Sequence, residues 1–94
     1  MELKDTIEFM TSDNYEERFV AEYWQLKIRY EKLHKMIVRY TANTLDFELN
    51  CSIELLQHQK SLMGQLLFDL EVRAEIEHID LESINYTKFN GVSI

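Results

Sequence analysis

Proline is absent from the 94 residues, and glycine occurs only at Gly64 and Gly91. Proline removes an amide donor and glycine adds backbone freedom, so their scarcity leaves helices almost uninterrupted and predicts an all-α chain. A single cysteine, Cys51, excludes an internal disulfide and fits a reducing compartment. No apolar run approaches the roughly 20 residues of a membrane span. The opening MELKDTIEFM carries acids where a signal peptide needs an apolar core, so a soluble, intracellular chain without membrane association is expected. Basic side chains are also outnumbered: 10 Lys and Arg stand against 17 Asp and Glu, a formal net charge of −7. That balance opposes DNA or RNA binding, which depends on releasing counterions from many phosphates. It leaves room for a small anion, which responds to the local field rather than to the distant total.

Catalytic signatures are missing as well. There is no glycine-rich phosphate loop, no HExxH and no CxxC. His34, His58 and His78 stand alone, and Cys51 has no neighbour that would lower a thiol pKa. The carboxylates are expected on solvated helix faces, with no acid–base pair among them. Glu75-x-x-His78 matches half of a bundle-type dinuclear site, and one copy where two are needed is weak support for a metal. The expectation is a chain with no catalytic residues, no cofactor and no metal, and not an enzyme.

What is present is concentrated in Phe19–Tyr40. Phe19, Tyr23, Leu26, Tyr30, Leu33, Ile37 and Tyr40 alternate at spacings of four and three, which is a heptad stripe about three heptads long. Three of its positions are tyrosines, whose hydroxyls need partners if buried. Aromatic residues at this spacing belong to a core or interface more often than to a ligand platform. Trp24, one place off the stripe, is expected as an anchor between subunits. Lys27, Arg29, Lys32, Lys35 and Arg39 have one acid between them, Glu31, so residues 27–39 carry +4 while the remainder carries −11.

In chain order, Leu3, Ile7 and Met10 predict a short amphipathic N-terminal helix or arm over 1–12. Asp13 with Glu16 has the form of a capping box, which starts a long helix at about 14 and carries it to about 40. The connection holds Asn43, Thr44, Asp46 and Asn50, and its alternating Leu45, Phe47 and Leu49 predict one apolar side laid on the hairpin. Ser52 is the expected cap of a second helix over about 52–78, with a heptad line through Leu56, Gln59, Met63, Leu66, Leu70 and Arg73. Residues 82–94 read as a loosely ordered tail or docking segment. The chain is therefore expected to be one domain, 1–94, built as a long antiparallel helical hairpin. Such a hairpin leaves second faces uncovered, so a homo-oligomeric bundle is the default.

At the start of the long helix, Tyr15 offers a ring for a base, Arg18 a guanidinium for phosphate on the same face, and the first turn unpaired amides.

The segments LKDTIEFM, NYEERFVAEYWQLKIRYEKLHKMI, LDFELNCSIELLQHQKSLMGQLL and LEVRAEIEHIDL resemble the small phage and prophage proteins related to a crAss-like phage protein. The similarity covers roughly residues 3–81, and ERF-x-AEY-x-QLKIRYEKL is its most specific part. More distantly, the chain is similar to the helical hairpin of phage sponges that counter cyclic-nucleotide immunity, the anti-CBASS and Thoeris sponges. That likeness rests on Tyr15, a basic residue about four turns later, and Gln59, Met63 and Gly64 in the second helix. It implies a homo-oligomer, with a hexamer among the forms allowed, that binds a cyclic dinucleotide or ADP-ribose-type messenger between protomers without cleaving it. The implied contacts are Tyr15 and Arg29, with Lys27 the alternative; a one-residue shift would place Tyr30 there instead. Arg29 stands where the family pattern has lysine, which keeps the charge and changes its geometry to a fork. Gln59 and Lys60 lie where that family has a second, cyclic-trinucleotide pocket. The resemblance implies action in the cytoplasm of an infected bacterial host. The rival expectation is an interaction module whose helices bind themselves or a host protein.

Overall fold

A computed structural model describes residues 2–84. A 3-10 turn, Leu3–Thr6, runs into the short helix α1, Ile7–Met10; the long helices α2, Tyr15–Thr41, and α3, Ile53–Glu77, follow, and a one-turn helix α4, Leu81–Ile84, comes after them. The two long helices match the predicted hairpin to within a residue at each end.

Their ends are set by local chemistry. Asn14, rather than Asp13, is the cap of α2: its side-chain oxygen accepts from the amides of Glu16 and Glu17 at 2.8 and 3.3 Å. Asn, one residue closer, reaches the first-turn amides, so the capping box read from Asp13 and Glu16 is not the device used. Ser52 caps α3 as expected, accepting from the Leu55 amide at 3.2 Å. Both helices end on a left-handed residue, Asn43 with φ 64° and His78 with φ 57°. In each case the next amide turns back five residues, Thr44 to the Arg39 carbonyl and Ile79 to the Ala74 carbonyl. Ile79 and Ala74 are both buried, which is the apolar contact that accompanies this kind of stop.

α2 and α3 run antiparallel. Phe19, Tyr23 and Leu26 meet Leu67, Leu70 and Ala74, with Tyr30 and Met63 partly buried at the edge. The tyrosine hydroxyls on the seam reach across it: Tyr23 donates to Glu71 at 2.6 Å and Tyr15 to Glu77 at 2.8 Å. Further along, Gly64 lies under the Tyr30 ring, where an added Cβ would sit 3.4 Å from the nearest ring carbon. These contacts agree on a single register.

The seam on α3 is not the predicted line. It runs Leu56, Lys60, Met63, Leu67, Leu70, Ala74, while Leu66 and Arg73 are exposed. Apolar residues occur all round α3, so periodicity alone does not choose among neighbouring stripes.

The shorter elements pack chiefly on α2. In the arm, Thr6 and Phe9 are buried and Leu3 is half-buried, while Ile7 and Met10, expected on the same face as Leu3, are exposed. Trp24 is an anchor within the chain: its indole N–H donates to the Leu81 carbonyl at 2.8 Å, and its ring stands edge-on to Tyr23 at 5.5 Å. Asp80 accepts from the Glu82 amide at 2.9 Å, so the stretch expected from 82 as a loosely ordered tail or docking segment begins as a capped turn; the rest of that expectation, 85–94, lies outside the described residues. In the connection Leu45 and Leu49 are half-buried and Phe47 is exposed, so the apolar side is only partly laid down.

Two predictions follow from these contacts. A left-handed conformation costs a residue with a Cβ roughly 1–2 kcal/mol and glycine nothing, against which glycine adds entropy to the unfolded chain. His78→Gly should therefore raise stability by about 0.5–1 kcal/mol, read as a melting midpoint a few degrees higher. Burial, and then the hydrogen bond to Glu71, push the Tyr23 hydroxyl above its usual pKa of 10.0. Because the folded state holds that proton more tightly, stability is unaffected below the unfolded value and falls as pH climbs past it. Urea midpoints measured from pH 8 to pH 11 should decline at the alkaline end, and Tyr23→Phe should flatten the decline to the smaller slope left by Tyr15. An unchanged slope would remove Tyr23 as its source.

Candidate functional site

The candidate residues sort into two places. At the open end of the hairpin, the Tyr15 hydroxyl lies between two side chains of α3, donating to Glu77 and accepting from Arg73 Nη2 at 3.0 Å. Arg73 Nε pairs with the same Glu77 at 3.4 Å, and its guanidinium lies 4.9 Å above the Phe19 ring. The Glu77 carboxylate, as acceptor, raises the Tyr15 pKa, and Arg73 opposes it. Arg18 turns the other way, with Nη1 donating to the Ser12 carbonyl at 2.6 Å and closing the turn before α2. Two of the first-turn amides are already taken by Asn14. Within one chain, then, the ring, guanidinium and free amides expected to converge at the helix start do not. Tyr15 serves as a latch between the first turn of α2 and the last turn of α3, with its ring half exposed.

Fourteen residues further on, about 21 Å along the helix at 1.5 Å per residue, lie the remaining candidates. Arg29 is exposed and, among the described residues, forms no hydrogen bond or ion pair. It borders an open hollow of about 560 Å³ with Gln59 and the apolar side chains of Leu33, Leu62 and Met63. Successive helical residues point roughly 100° apart, so Tyr30 and Lys60 come out on the other flank of the seam. There the Lys60 ammonium lies 5.8 Å from the centroid of the Tyr30 ring. Together they border a second open hollow of about 720 Å³ with Gln57, Ser61, Gln65 and Asp69 as polar lining and Ile37 and Phe68 as apolar lining. Lys27 lies over the Tyr23 ring at 5.8 Å, one turn nearer the open end.

The structure thus pairs Arg29 with Gln59 and Tyr30 with Lys60, and it separates both pairs from Tyr15 and Arg18. Each hollow offers a cation, a side-chain amide and an apolar or aromatic wall, a set suited to a phosphate and the face and edge of a base. Among the described residues no three His, Cys, Asp or Glu side chains are placed to hold a metal ion, Glu75 and His78 included.

Sequence reasoning did not identify Gln57, Ser61, Gln65, Arg73 or Glu77. The first three carried a usable signal, an i, i+4 polar line beside the α3 seam. Arg73 and Glu77 did not, since a salt-bridge pair at that spacing is ordinary on an exposed helix.

A family model described as Sequestin matches residues 13–76. The match begins one residue before the Asn14 cap and ends one residue short of the end of α3, so both hollows and the whole α2–α3 seam lie within it. No curated protein and no solved structure matches the chain. A match across both long helices and most of the chain is sufficient for assignment: this protein belongs to the Sequestin family.

Proposed function

We propose that this chain is a non-catalytic phage sponge. It binds a cyclic nucleotide immune messenger, a cyclic dinucleotide or an ADP-ribose-type signal, and withholds it without cleaving it in the cytoplasm of the infected bacterial host. Its family points to a sequestering role. The observation that carries the finer reading is the pairing at mid-hairpin: Arg29 with Gln59 on one flank, Lys60 with Tyr30 on the other, each beside an open hollow. Arg29 is uncommitted among the described residues, so its charge is available to a phosphate without first breaking a contact in the chain. Lys60 lies against a ring that a base can share. Sequestration needs affinity rather than turnover, and cations, amides and walls supply affinity. In this reading the protein works as a homo-oligomer, and only a neighbouring copy can bring a Tyr15 ring or an Arg18 guanidinium near these hollows.

The six large apolar side chains left exposed on α3 also suit a plain interaction module that binds itself or a host protein. Thermal shift against a panel of cyclic di- and trinucleotides and ADP-ribose derivatives separates the two. A ligand that binds only the folded state at a hundred times its Kd stabilises it by about 2.7 kcal/mol, so one member of the panel should raise the midpoint by several degrees. A flat panel favours the module.

For the responding ligand, calorimetry should show Arg29→Ala and Lys60→Ala each weakening binding. A lost charged hydrogen bond costs roughly 1.5–3 kcal/mol, about a tenfold to a hundredfold change in Kd. Unaltered isotherms for both variants would exclude the mid-hairpin site. Tyr15→Phe, which keeps the ring and removes the latch hydroxyl, should bind as well as the parent, whereas Tyr15→Ala should bind less tightly if the ring stacks on the ligand. Chromatography of the ligand after long incubation should recover it intact.

A further inference from the structure

The α2–α3 seam uses one side of α3, and the opposite side carries a second heptad line. Leu55, His58, Leu62, Gln65, Asp69, Val72 and Ile76 follow one another at spacings of three and four. At 100° per residue this line lies roughly 150° round the helix from the Leu56–Ala74 seam. Its apolar members are exposed, Ile76 at 71% and Leu62 at 51%, as are Leu66 and Phe68 beside it, Phe68 at 64%. A helix apolar on two sides needs two neighbours, and the described residues supply α3 with one, because α1 and α4 pack chiefly on α2. An exposed apolar stripe of this length marks an interface.

The charge distribution says what covers it. Residues 1–27 and 66–84, the open half of the hairpin, hold four basic and thirteen acidic side chains, a balance of −9. Residues 28–65, the loop half, hold five basic and four acidic, a balance of +1. Two copies side by side in parallel would set −9 against −9 and Asp69 against Asp69. Two copies antiparallel set each acidic half along the other's loop half, where Lys32, Lys35 and Arg39 are exposed. The side chains agree: about a twofold axis at Gln65, the middle of α3, Leu62 comes level with Phe68 and Asp69 with Ser61, and Leu55 falls within one residue of Ile76.

We propose that the outward line of α3 is a self-association surface, on which a second copy of this chain packs its own α3 antiparallel to form a four-helix core. The surface exists whether or not a messenger binds. It has a consequence for the Tyr30–Lys60 hollow all the same: Ser61, Gln65, Phe68 and Asp69 border both, so the second copy walls the open side of that hollow and makes it a crevice between chains.

Sedimentation of the full chain across a concentration series tests the surface. Wild type should run at twice 11.3 kDa or a higher multiple, and Val72→Glu with Ile76→Glu should run at the single-chain mass with its helical circular dichroism retained. Should that variant lose its helical signal, Ile76→Gln alone should still shift association to higher concentration. A wild type that stays at 11.3 kDa at every concentration, or a multimer indifferent to these substitutions, overturns the proposal. Orientation is read from mixed oxidation of L55C and I76C chains in a Cys51→Ser background. Antiparallel packing yields the Leu55-to-Ile76 crosslink, and a predominant Leu55-to-Leu55 crosslink overturns it.

Discussion

The apolar seam between α2 and α3 is the contact on which the remainder of the structure depends, because in a chain this small it buries the largest share of the apolar surface. Of Phe19, Tyr23 and Leu26 against Leu67, Leu70 and Ala74, the phenylalanine and the leucines are each worth about 1.5–3 kcal/mol when removed from water, and the single methyl group of Ala74 less. Such burial is blind to register. The tyrosines supply the register, since their hydroxyls must reach an acceptor: Tyr23 finds Glu71 and Tyr15 finds Glu77 only when the helices are aligned as they are. Slipping the hairpin by a turn would break both hydrogen bonds at once. The mixed character of the stripe, oily but tipped with hydroxyls, thereby becomes a source of specificity.

From that alignment the geometry of the candidate site follows. With Tyr30 set over Gly64, its ring lies on one flank of the seam beside Lys60, and Arg29 is turned to the other flank beside Gln59. Two hollows arise because consecutive residues on two antiparallel helices diverge to opposite sides. The open end is spent on structure instead, with Tyr15, Arg73 and Glu77 fastening it and Arg18 closing the preceding turn. The contacts are thus divided along the length of one hairpin: the acidic open end is tied to itself, and the middle carries Arg29 and Lys60 beside the two hollows.

Particular residues show how far the chain could be read in advance. The existence of both long helices, the Ser52 cap and the stop after α2 were legible because they depend on neighbours within a few positions. The α2 stripe was legible from Phe19 to Ile37 through its alternating spacing of four and three, while Tyr40 at its end is exposed and the buried Val20, Ala21 and Ile28 lie off it. The α3 seam was misread by one position at several places because apolar residues surround that helix, and only its partner decides which side is buried. The partner of Trp24 within the chain was not legible for a similar reason: the Leu81 carbonyl that receives its indole N–H is far away in sequence and near only after the hairpin closes. The arm showed a third kind of miss, where Phe9 rather than Ile7 and Met10 faces inward, since a single helical turn has too few residues to define a side.

The sequence by itself determined what rests on local interactions: an all-α chain, two long helices with capped ends, a tyrosine stripe and a concentration of positive charge in residues 27–39. Proline and glycine scarcity, cap chemistry and 3.6-residue periodicity act within a turn or two and need no fold to operate. Tertiary structure decided which candidate residues share a place, bringing Arg29 to Gln59 and Tyr30 to Lys60 and giving Tyr15 to Glu77. Those pairings depend on the register between two helices, and register is a property of the packed pair that neither helix carries alone.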